Sequence, residues 1–129
     1  MSAIDQLRGV WNIVPTPFRE DASLDEDGVR TMVEFVIGTG VDGMTVLGVM
    51  GEVGRLSDHE RRRVIELTVE RAAGRLPVCA GVTHAATDRA VALAREAQAK
   101  FSASRHLQNL HRDAGDFVLR QRDVLRLCA

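Results

Sequence analysis

Three short apolar runs begin near residues 10, 43 and 77, spaced 33 or 34 positions apart, and a stretch with helical periodicity follows each. That spacing accommodates a strand, a loop, a helix and a return loop, and it suits a β-loop-α-loop unit better than an all-helical repeat. The runs are Val10-Trp11-Asn12-Ile13-Val14, Met44-Thr45-Val46-Leu47 and Pro77-Val78-Cys79-Ala80, so strands are expected near 10–14, 43–47 and 77–81. Pro15-Thr16-Pro17 ends the first run, because proline cannot donate to a sheet ladder. Strands this uniformly apolar predict a parallel sheet covered by helices, with the three strands adjacent.

Helix signals fall between the strands. Ser23-Leu24-Asp25-Glu26 reads as a capping box, and Val29, Met32, Val33, Val36 and Ile37 keep helical spacing until Gly38 and Gly40 stop the helix. Ser57-Asp58-His59-Glu60 reads as a second capping box. Ile65, Val69, Ala72 and Ala73 are expected on one face of that helix, with Gly74 closing it. Thr87-Asp88 reads as the cap of a third helix carrying Ala90, Leu93, Ala94 and Ala97.

Two α/β architectures fit this order. A doubly wound sheet would place a glycine-rich phosphate turn after its first strand, where this chain has Pro15-Thr16-Pro17-Phe18. A (β/α)8 TIM barrel keeps its chemistry in the loops after the strands, where the unusual residues of this chain lie, and it is favoured. Such a barrel takes about 250 residues, whereas this chain has 129 and three units. After Lys100 the pattern changes. Ten of eleven glycines and all three prolines precede residue 101; residues 1–100 carry 12 basic and 15 acidic side chains, and residues 101–129 five Arg and three Asp. Residues 1–100 therefore read as the first three β/α units of a truncated barrel. Residues 101–129 read as an unrelated or frameshifted tail, or a divergent fourth unit, in which 114–119 could form a displaced strand and 124–127 the end of a short helix.

With 45% apolar and 27% charged residues and a net charge of −1, the composition is that of a soluble domain, and no basic excess points to nucleic acid or an anionic membrane surface. No run approaches the roughly 20 apolar residues of a membrane span. Cys79 and Cys128 lie far apart and the first residues lack the apolar core of a signal peptide, so a cytoplasmic protein with reduced thiols is expected.

The segment richest in chemistry is Gly43 to Glu52, a strand entering a glycine-bracketed turn that ends in a carboxylate. Glycines let backbone amides approach an anion, although any tight turn leaving a buried strand could need Gly48 and Gly51. Thr16, Pro17 and His84 fall in loops at the expected active end. His59 and the run Arg61-Arg62-Arg63 read as solvated helix positions, and Cys79 as a small buried residue. No His pair has metal-site spacing next to a carboxylate, so neither a metal nor a cofactor is expected.

Taken in order, Val14-Pro15-Thr16-Pro17-Phe18, Gly40-Val41-Asp42-Gly43, Gly48-x-x-Gly51-Glu52, Leu56-Ser57-x-x-Glu60-Arg61, Arg75-Leu76-Pro77-Val78-x-Ala80-Gly81-Val82 and Thr87-x-x-Ala90-Val91-x-Leu93-Ala94 form a recognisable series. Over about residues 8–99 the chain resembles the dihydrodipicolinate synthase and N-acetylneuraminate lyase family of pyruvate-dependent class I aldolases. The resemblance implies a (β/α)8 barrel, commonly tetrameric, in which a lysine forms a Schiff base with a 2-oxo acid such as pyruvate. An iminium is a better electron sink than a ketone, so a carbon–carbon bond can form or break beside it. The resemblance also implies that Gly48, Val49, Met50, Gly51 and Glu52 hold the substrate carboxylate. The two middle positions are usually Ser or Thr in the family. Val49 and Met50 lack the hydroxyls, which leaves backbone amides around Gly51 as donors and suggests another 2-oxo acid or aldehyde.

The family's Schiff-base lysine and relay tyrosine lie on later strands. This chain has no tyrosine, and its one lysine, Lys100, falls at the end of the third helix, so no catalytic residue is expected in it. The expectation is a fragment of a lyase, inactive alone. The alternative is a non-catalytic remnant, or an interaction module that pairs with a complementary barrel piece.

Overall fold

The computed structural model describes residues 8–103. Strand β1 (Trp11–Ile13) leads to helix α1 (Glu26–Gly38), β2 (Gly43–Val46) to α2 (Asp58–Ala72), and β3 (Val78–Ala80) to α3 (Thr87–Ala103). The strands form one parallel sheet in the order β1-β2-β3, with Ile13 paired to Thr45 and Thr45 to Cys79. These are the first β/α units of a TIM barrel. β1 and β3 are shorter than their apolar runs, and β2 begins one residue before its run and stops where Leu47 turns to a positive φ of 59°. The readings of 114–119 and 124–127, and His106, His111 and Cys128, lie outside the described residues.

Side chains alternate across a strand, so the paired residues Met44 and Val78, with Val46, share the face that the helices cover. They meet Val33 and Val36 of α1, Val64, Ile65 and Val69 of α2 and Ala97 of α3 in a single core. The opposite face bears the row Ile13, Thr45 and Cys79, and no described helix covers it. Ile13 is 48% exposed. Cys79 was expected to be buried and is exposed for the same reason. Its access is open, yet its sulfur is desolvated enough to push the thiol up, against a hydrogen bond with Thr45 that pulls it down.

The helix ends show which local signals prevail. Ser57 and Glu60 form the expected capping box, each side chain accepting from the other's backbone N–H. At α1 the expected box is replaced by Asp25, whose carboxylate accepts from the Gly28 amide at 3.0 Å. Ser23 is diverted, its amide and hydroxyl both donating to Asp21 Oδ1. Gly38 stays helical, and Gly40 supplies the positive φ of 75° after α1. Ala73 takes the left-handed cap position of α2 and is exposed rather than on the buried face. At α3, Thr87 is already helical and Ala86 O accepts from the Ala90 amide. The helix also continues past Lys100 to Ala103, three residues beyond the point where the sequence pattern changes.

The three consecutive arginines are not a uniform solvated face. Arg61 Nη2 reaches back to Val53 O at 2.8 Å, Arg62 pairs with Glu96 of α3, and Arg63 pairs with Glu26 of α1. Among the described residues no helix is long and apolar enough to cross a membrane.

Candidate active site

The C-terminal ends of parallel strands open onto three neighbouring loops: Val14–Phe18 after β1, Leu47–Glu52 after β2, and the loop from Gly81 after β3. The middle loop is the tightest. Gly51 N donates to Gly48 O at 3.0 Å and Glu52 N to Val49 O at 3.0 Å, which closes two overlapping turns. Leu47 and Glu52, at φ 59° and 53°, frame them in a left-handed conformation that costs a non-glycine residue on the order of 1 kcal/mol.

This bonding decides which amides are free. A trans peptide directs its N–H opposite to its C=O, and the carbonyls of Gly48 and Val49 are turned into the loop. The amides of Val49 and Met50 therefore point outward, and among the described residues neither has a protein acceptor. The amide of Gly51 itself is engaged, so the unbonded donors of the segment are those of the two residues before it. Their side chains are open as well, Val49 at 94% exposure and Met50 at 62%. Val49, Glu52, Val53, Gly54 and Arg55 line an open depression of about 560 Å³.

The neighbouring loops hold the turn from both sides. Thr16, only 8% exposed, donates its hydroxyl to Gly51 O at 2.7 Å across 35 residues of sequence. On the other side Gly81 lies so close that a Cβ there would stand 2.1 Å from Leu47 O. Behind the turn, Val53–Arg55 forms a 3-10 helical turn anchored by Arg61. In the sequence Arg61 closes the Leu56-Ser57-x-x-Glu60-Arg61 motif and opens a charged run, and neither signals its contact with Val53. The structure thus joins Thr16 to Gly51 but leaves Pro17 and His84 in other roles. Pro17 O accepts from the Asp25 amide and so supports the start of α1. His84 is exposed, and its Nδ1 accepts from the Ala86 amide. Glu52 turns its carboxylate toward Arg55 at 3.5 Å, on the surface.

Residues 6–104 match the family model described as the dihydrodipicolinate synthetase family. The chain belongs to this family. Among the relatives, the 4-hydroxy-tetrahydrodipicolinate synthase of Acidobacterium capsulatum is 44% identical over 91 residues, 70% of this chain and 30% of that protein. The chain thus spans about 30% of the length of this curated relative. N-acetylneuraminate lyase from Mycoplasma synoviae superposes with a TM-score of 0.70 at 30% identity, over 75% of this chain and 34% of the other. The chloride-inhibited dihydrodipicolinate synthase from Acinetobacter baumannii, complexed with pyruvate, gives a TM-score of 0.71 at 28% identity, over 73% and 32% of the two chains. Both the family match and α3 run past Lys100.

Proposed function

We propose that this chain carries the carboxylate-holding part of a class I aldolase-type lyase that acts on a 2-oxo acid of the pyruvate kind. The observation that carries the reading is the pair of outward amides at Val49 and Met50, placed at the strand ends of a barrel whose family includes a pyruvate complex. Two consecutive N–H groups without a protein acceptor among the described residues suit a carboxylate, each oxygen of which accepts hydrogen bonds. Val49 and Met50 add apolar surface where hydroxyls are usual in the family, which favours another 2-oxo acid, with an apolar substituent, or another aldehyde partner over a reaction that needs a hydroxyl relay there.

Carbon–carbon bond chemistry needs an amine in a desolvated pocket, so that it is neutral and nucleophilic. The one lysine, Lys100, lies within α3, and the chain contains no tyrosine to move a proton. The chain alone therefore holds an anion without reacting with it. Borohydride trapping in the presence of pyruvate, followed by intact mass measurement, tests this. No adduct is expected; a covalent adduct on Lys100 that disappears in Lys100→Arg would overturn the reading.

A second reading, an interaction module, is favoured by the uncovered row Ile13, Thr45 and Cys79. It predicts a defined stoichiometric complex with another β/α chain and no response of the turn to pyruvate.

A further inference from the structure

We infer that Thr16 is the positioning residue of the Gly48–Glu52 turn, holding its peptides in the orientation that presents the Val49 and Met50 amides. The peptide between Gly51 and Glu52 has two polar ends, and both are tied. Its N–H bonds to Val49 O at 3.0 Å, and its C=O accepts from Thr16 Oγ1 at 2.7 Å. The first bond draws the Val49 carbonyl inward, which turns the Met50 N–H outward. The second fixes the plane that makes the first bond possible, next to a glutamate held at φ 53°.

Thr16 is one of two buried polar side chains among the described residues; the other, Thr68, bonds within its own helix. A buried hydroxyl that reaches another loop is costly to lose, because its removal leaves the Gly51 carbonyl without a partner. No other hydrogen bond ties the β1 loop to this turn among the described residues. The geometry stands independently of the ligand, whereas the purpose assigned to it rests on the carboxylate reading above.

Hydrogen exchange of the full chain, followed by mass spectrometry of the peptide covering residues 47–56, tests the inference. Thr16→Val should exchange about tenfold faster in that peptide with α1 and α2 unchanged, the scale of one local buried bond lost. Thr16→Ser, which keeps the donor, should match the parent. Equal exchange in Thr16→Val and the parent would overturn the inference, as would a Thr16→Ser variant as fast as Thr16→Val, since packing of the methyl would then be the cause. If Thr16→Val unfolds the chain, Thr16→Cys keeps the size with a weaker donor, and its acceleration should still be confined to the turn; acceleration everywhere would overturn the inference too. Adding pyruvate separates the two claims. Failure of pyruvate to slow the parent peptide counts against the carboxylate reading and leaves the comparison of variants decisive for Thr16.

Discussion

Arg63 grips Glu26 side-on, its Nε and Nη2 each 2.7 Å from a different carboxylate oxygen, and so joins α2 to α1. The Arg63 hydrogen bonds hold the Glu26 carboxyl below the usual range, with the charges of Arg63 and Arg30 adding to them. Arg75, with Arg71, does the same for Glu34. A carboxylate depressed in the folded state contributes stability that is complete above its unfolded value of about 4.3 and is lost as pH falls through the lower folded value. The thermal midpoint should therefore drop between about pH 5 and pH 3. In Glu26→Gln the drop should be shallower, and an unchanged slope would remove this pair from the acid response.

Asp25 rather than Ser23 caps α1. Asp25→Ala should lower stability by about 1 kcal/mol, and Ser23→Ala by clearly less, because among the described residues the Ser23 hydroxyl bonds only to Asp21. Urea unfolding of the two variants decides the order, and a larger loss at Ser23 would contradict the cap assignment.

Gly81 should tolerate no side chain. A Cβ 2.1 Å from Leu47 O forces the β3 loop and the site turn apart, whereas nothing lies within 4 Å of a Cβ at Gly54. Gly81→Ala should cost more than about 2 kcal/mol and Gly54→Ala within about 0.5. Comparable thermal midpoints for the two variants would show that the loops do not pack as described.

The strands and the second capping box were legible in the sequence because their signals are local: an apolar run, or Ser57 three residues before Glu60. Ser23 misled because Ser23 and Asp25 are both cap formers, and spacing does not show that Asp21 engages Ser23 and leaves the Gly28 amide to Asp25. The exposure of Cys79 depends on which sheet face is covered, and the partners of Arg62 and Arg63 depend on distances between helices. Neither is a local property. The turn at Gly48–Glu52 was found from its glycines. Which of its amides are unbonded was not legible, because that follows from the bonds of Gly51 and Glu52 and from left-handed Leu47 and Glu52, which no glycine marks.

The most direct test of the account is a pyruvate titration of the ¹⁵N-labelled chain, followed through the amide resonances of the turn. The account predicts saturable shifts at roughly millimolar pyruvate, the affinity expected of a few hydrogen bonds, largest at Val49 and Met50 and small at the already bonded Gly51 and Glu52. Unmoved Val49 and Met50 resonances, or shifts spread evenly over the surface, would contradict it.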